Sequence, residues 1–83
     1  MNHSNITIDS LSPGETATVS AIEKFSLSDR LRDLGFTPGT KIKCLHKAPF
    51  GDPVAFGVRG TVIALRREDS RYVEAYRGGD GSG

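Results

Sequence analysis

The chain has 83 residues, 36% of them hydrophobic and 25% charged, with a formal net charge of +1. So short a chain forms one domain with a small core, burying about 60% of the surface its unfolded form exposes. The balanced charge speaks against a typical nucleic-acid binder and the single cysteine excludes an internal disulfide; the longest aliphatic run, Val62-Ile63-Ala64-Leu65, falls far short of the roughly 20 residues a membrane helix needs.

The N-terminus has neither the basic nor the apolar region of a secretion signal, so a cytoplasmic location is expected. Residues 1–5 are polar and predict a flexible lead-in, after which Ile6, Ile8 and Leu11 supply an apolar stretch able to close one edge of the domain. Ser12-Pro13-Gly14-Glu15 has the residues of a type II turn, proline presetting φ at the second position and glycine accepting positive φ at the third. The same chemistry returns at Thr37-Pro38-Gly39-Thr40, an echo too short to be read as a repeat. Each turn opens a strand, 16–22 and 41–47. In the first, Ala17, Val19 and Ala21 share a face and Ile22 falls on the other, which predicts an irregularity near Ile22.

A helix of roughly eight residues is expected between these strands, because Ser26 and Asp29 fit a capping box, Leu27, Leu31 and Leu34 repeat at helical spacing, and Gly35 suits a left-handed stop. In the second strand, Ile42, Cys44 and His46 are expected to face the core, and Lys41, Lys43, Leu45 and Lys47 the other side. A third strand, 54–58, and a fourth, 61–65, are joined at Arg59-Gly60 as a tight hairpin, and Gly57 weakens the third or marks a close approach. Residues 66–70 fit one helical turn, and 71–76 a last strand with Val73 and Ala75 on one face. The stretch 77–83 is without apolar residues and is expected to be disordered, leaving a domain over 6–76. The fold expected is mainly β: a small, partly open barrel of about five strands with a short helix inserted between strands one and two.

Catalytic chemistry has little to work with. Cys44 and His46 lie two apart on a strand, where side chains point the same way but are nearly 7 Å apart at the backbone, too far for a nucleophile and its base. The same two residues are the candidate metal ligands, yet zinc needs three or four, so a buried thiol and a strand-end imidazole are the favoured reading. There is no phosphate-binding glycine signature, and no cofactor is expected. Lysines 41, 43 and 47 and arginines 66, 67 and 71 read as a solvated face, with an acidic partner or RNA as the alternative. What remains is the pair of Pro/Gly loops with an aromatic at each bend. Leu34, Phe36, Pro38, Gly39, Pro49, Phe50, Asp52, Pro53 and Arg59 are expected to form one docking rim. Against this stands an inward fold of Phe36 and Phe50 that merely pins the loops, with Asp52 capping its own loop.

Five segments in order carry a family resemblance over about residues 8–76: Leu11-Ser12-Pro13-Gly14-Glu15, Arg30-Leu31-Arg32-Asp33-Leu34-Gly35-Phe36-Thr37-Pro38-Gly39, Lys47-Ala48-Pro49-Phe50-Gly51-Asp52-Pro53, Val58-Arg59-Gly60 and Ala64-Leu65-Arg66-Arg67-Glu68. The chain resembles the FeoA family of ferrous iron transport proteins. It departs from the family's pattern at Asp69-Ser70, where alanine is usual, and at Cys44, where an aliphatic residue is common. The resemblance implies an SH3-like barrel, a non-enzymatic cytoplasmic accessory role and a partner in the membrane GTPase that transports Fe(II). Two alternatives are an interaction domain working with a metal-dependent repressor and an RNA-binding SH3-like module.

Overall fold

The computed structural model describes residues 5–77. Six strands form one antiparallel sheet: β1 (Asn5–Thr7), β2 (Thr16–Ile22), β3 (Lys41–Lys47), β4 (Val54–Val58), β5 (Thr61–Leu65) and β6 (Val73–Arg77), ordered β1-β6-β2-β3-β4-β5. Two short helices, α1 (Ser28–Leu34) and α2 (Arg67–Ser70), follow β2 and β5. The apolar lead-in is itself a strand at the sheet edge, with Ile6 opposite Ala75, so there are six strands where about five are read from the sequence. Three residues are too few to show a period of two. The sheet takes in Asn5 and Arg77, one residue beyond the expected domain at each end, and the rest of the expected flexible termini, 1–4 and 78–83, lies outside the described residues.

The sheet is open, since β1 and β5 end the order, yet residues from both halves meet in one core. Ile63 and Leu65 of β5 join Val73 and Ala75 of β6, Ala17 and Val19 of β2 and Ile42 and Cys44 of β3. One sheet can line a single core from all sides only by curling, which gives the partly open barrel. At the centre Phe36 and Phe56 meet edge to face, with centroids 6.5 Å apart and an interplanar angle of 85°. Burial of each ring is worth about 3 kcal/mol.

The two Pro-Gly turns are equivalent in structure. In each, the last turn residue donates its N–H to the first residue's carbonyl, Glu15 to Ser12 at 2.9 Å and Thr40 to Thr37 at 3.0 Å. Each then clasps the other's strand: Gly14 N–H donates to Cys44 O and Cys44 N–H to Glu15 O, while Gly39 N–H donates to Val19 O and Val19 N–H to Thr40 O. The match continues outward. Leu11 and Phe36, preceding the turns, are both fully buried, and both strands carry a register shift one residue past the clasped position, at Ser20 and Leu45. A local two-fold thus relates residues 11–22 to 36–47.

These bulges redirect side chains. In β2 the expected irregularity lies at Ser20, leaving Ala21 exposed and Ile22 packed against the core. In β3 the bulge takes His46 off the core face that holds Ile42 and Cys44, so His46 is exposed, contrary to the alternation read from the sequence. Leu45 instead lies over Gly57, 3.5 Å from where a Cβ there would stand.

Helix α1 begins at Ser28, and Ser26 does not cap it. Ser28, buried at 3%, holds the entry through its hydroxyl, donating to Phe25 O at 3.0 Å and accepting from Phe25 N–H at 3.4 Å. The exit is a Schellman arrangement. Gly35, at φ 116°, donates to Arg32 O, and Phe36 N–H donates to Leu31 O, with Phe36 and Leu31 both in the core. The helix end therefore drives the Phe36 ring inward.

Candidate protein-docking surface

At one end of β3 the helix exit, the turn over 37–40 and the β4–β5 hairpin converge. Arg59 and Gly60 have φ of 52° and 79°, the pair of positive angles of a type I′ hairpin. This turn lays the Arg59 side chain across Gly35, where an added Cβ would lie 2.9 Å from Val58 Cγ1 and 3.0 Å from Arg59 Cδ. The Arg59 guanidinium ends beside the Thr37 and Thr40 hydroxyls, at 3.5 and 3.4 Å, which are 2.8 Å from each other. Pro38, Gly39 and Arg59 are exposed. Phe36, expected on the docking rim, is instead fully buried and takes no part in this surface.

At the other end of β3 lies the loop over 48–53. Ala48 N–H donates to Pro53 O at 3.0 Å and Gly51 N–H to Ala48 O at 2.7 Å, so the loop is a braced turn with Pro49 and Phe50 at its tip. Phe50 is 96% exposed. Asp52 does not cap its own loop: its Oδ1 accepts from Arg67 N–H at 2.9 Å, tying the loop to the first residue of α2. Pro49, Asp52 and Pro53 are exposed.

The two loops do not form one rim. They cap opposite ends of β3, a strand of seven residues, and are separated by roughly 20 Å at about 3.3 Å per residue. Proximity in sequence made them look contiguous. A separate groove of about 370 Å³ has Leu27, just before α1, and Leu31 and Leu34 of the helix on one wall and Ile63, Ala64, Leu65 and Arg66 on the other. Leu34 is 38% exposed here, so the predicted docking residue is accessible but belongs to this groove and not to the turn. The β5 wall was missed in the sequence. Its signal was the aliphatic run 62–65 in a domain too small to bury all of it, and Val62 is indeed 64% exposed.

The comparison of sequence with known families decides the affiliation: the model described as FeoA domain matches residues 6–77. The chain belongs to the FeoA family. The FeoA fold is matched by the solution structure of the FeoA protein from Chlorobium tepidum, with a TM-score of 0.82 and 28% identity over 94% of this chain and 75% of that one. It is also similar to Stenotrophomonas maltophilia FeoA in complex with zinc, described as an SH3 domain protein, with a TM-score of 0.74 and 29% identity over 84% and 88% of the two chains. A manganese-dependent transcriptional repressor shares the fold alone, at a TM-score of 0.79 and 11% identity over 93% of this FeoA chain and 44% of the repressor. No curated protein matches the sequence significantly. The SH3-like, mainly β architecture and the link to ferrous iron transport read from the sequence motifs therefore stand.

Within this FeoA domain Cys44 and His46 diverge, the thiol fully buried and the imidazole exposed across the Leu45 bulge. Burial pushes the Cys44 thiol up from its ordinary value, with Lys47 opposing the shift and Glu15 adding to it. Among the described residues no group of three or more His, Cys, Asp or Glu side chains could hold a metal ion. No described helix is long and apolar enough to cross a membrane. Lys41, Lys43 and Lys47 are all exposed. Glu15 binds Arg77 through both carboxylate oxygens at 2.7 Å, closing β6 onto the first Pro-Gly turn.

Proposed function

We propose that this protein is a small cytoplasmic accessory protein of ferrous iron uptake that binds the cytoplasmic part of a membrane Fe(II) transporter GTPase and modulates its assembly or activity. The observation that carries this reading is Phe50, almost wholly exposed on a loop braced by two backbone bonds and by Asp52, in a chain of the FeoA family. A large aromatic on a rigid support costs little ordering entropy when it enters a pocket, as an anchor should. It acts as a binding module and not as a catalyst, because its functional groups are apolar surfaces and a rigid loop. Affinity capture from membranes of the native host, in the presence of GTP, of GDP and without nucleotide, tests the reading. The transporter is expected in the captured fraction, reduced with Phe50→Ala. Capture of a DNA-binding repressor or of RNA in its place would overturn it.

A further inference from the structure

The groove between α1 and β5 meets the strand on its edge. Ile63, Ala64 and Leu65 all line it, although Ile63 and Leu65 are buried and Ala64 is exposed on the opposite face. Successive residues of a strand share one wall only where that wall is the strand's edge. β5 ends the strand order, so this edge has no strand partner among the described residues. The two-residue hairpin makes Val58 and Thr61 a hydrogen-bonded pair, and with the observed register Thr61, Ile63 and Leu65 direct their main chain toward β4. The N–H and C=O groups of Val62 and Ala64 therefore point away from β4 along the open edge, and Ala64 lines the groove.

Natural sheet edges are blunted by shortness, charge, proline or a bulge. β1, at the other end of the sheet, has three residues, whereas β5 has five, with no charge, no proline and no register shift. Its lining is basic on balance: Arg30 and Arg66 line the groove, form no ion pair among the described residues and outnumber Asp69, the one lining acid; Arg59 and Arg67 stand beyond the two ends of β5, the latter with Asp52 and Glu68 beside it. That pattern disfavours a second copy of the chain. Antiparallel pairing of β5 with itself about Ile63 would set Arg59 of each copy against Arg67 of the other.

We propose that this groove receives an extended peptide segment of the partner by strand addition to β5, with apolar side chains at alternate positions against Leu27 and Leu34 and acidic residues at the segment's ends. Main-chain bonds to Val62 and Ala64 supply affinity, and the leucine wall and the arginines select the sequence. The proposal rests on the reading of this protein as a docking module and names the surface and ligand class that reading leaves open.

Fluorescence anisotropy with a labelled peptide of alternating valine and threonine, carrying paired aspartates at both ends, tests it beside the same peptide with lysines in place of the aspartates. The acidic peptide should bind about tenfold tighter than the basic one. Ala64→Pro, which removes a groove-facing N–H and spares the β4 ladder, and Leu34→Asp should each weaken binding about tenfold or more. In the wild-type protein, amide exchange at Val62 and Ala64 should slow on saturation with the acidic peptide, a readout independent of any variant's folding. Failure of the acidic peptide to bind, equal binding of the basic one, or unchanged exchange at Val62 and Ala64 overturns the proposal. Peptide binding without capture of the transporter discards the proposed partner and keeps the groove, and capture that survives Ala64→Pro and Leu34→Asp together does the reverse.

Discussion

Gly35→Ala tests how closely the helix exit, the Pro-Gly turn and the β4–β5 hairpin are fitted together. At φ 116° an alanine is strained by about 1–2 kcal/mol. Its methyl would also stand 2.9 Å from Val58 Cγ1, on a side chain buried to 1%, and overpacking of that kind costs about 1–3 kcal/mol. A loss of about 3 kcal/mol follows, a large share of the roughly 4–12 kcal/mol expected of a domain this size at about 0.05–0.15 kcal/mol per residue. Gly39→Ala is the control. Gly39 has a similar φ, 91°, but nothing lies within 4 Å of its added methyl, so only the backbone strain of about 1–2 kcal/mol applies. Urea unfolding, with a slope of about 1 kcal/mol per molar, should place the Gly35→Ala midpoint about 1–2 M below that of Gly39→Ala. In a Val58→Ala background the cost of Gly35→Ala should shrink by about 1 kcal/mol, because Cγ1 is gone. Coincident midpoints for the two glycine variants, or full additivity with Val58→Ala, would refute the argument from close approach.

Phe36→Ala should destabilise by about 3–5 kcal/mol, while Phe50→Ala stays within about 0.5 kcal/mol of wild type in the same urea titration. The Glu15 carboxyl is held below its ordinary value of 4.5 first by the Ser12 N–H and then by Arg77, so its contribution to stability is present above that value and lost as pH falls through the lower folded one. Glu15→Gln should therefore flatten the acid limb of a plot of urea midpoint against pH, and an unchanged limb would remove Glu15 as its cause. Asp52→Ala removes the acceptor of the Arg67 N–H, and amide exchange at Arg67 should quicken about fivefold for a loss of about 1 kcal/mol. The Cys44 thiol should resist a thiol reagent in the native protein and react on unfolding, because it is fully buried and burial favours its protonated form.

Local chemistry was legible where one residue type answers one backbone demand. Gly35 ends a helix, Pro38-Gly39 and Pro13-Gly14 make type II turns, and Arg59-Gly60 closes a hairpin, all as their residues indicate. Side-chain direction was not legible wherever a bulge intervened, since one extra residue at Leu45 reverses the face of His46, and no composition marks it. The capping pattern at Ser26 is a true spacing with a competing solution, because the helix starts one residue later, at Ser28, whose buried hydroxyl binds Phe25. At the candidate surface Phe50 is exposed, whereas Phe36 is turned inward by the Schellman bond from its N–H to Leu31, which residue types alone do not reveal. The separation of the two loops follows from the seven-residue strand between them, whereas the β5 wall of the groove arises from strand order, which is a long-range property.

The reciprocal clasp between the two Pro-Gly turns bears on how the domain opens. Gly14 is held by β3 and Gly39 by β2, so neither turn can release without freeing the strand that the other turn begins. Loosening of one should therefore loosen the other, and the amides of Gly14, Val19, Gly39 and Cys44 are expected to exchange together as one cooperative unit. Outside that unit lie the braced Phe50 loop and the free edge of β5, where contact with a partner is proposed.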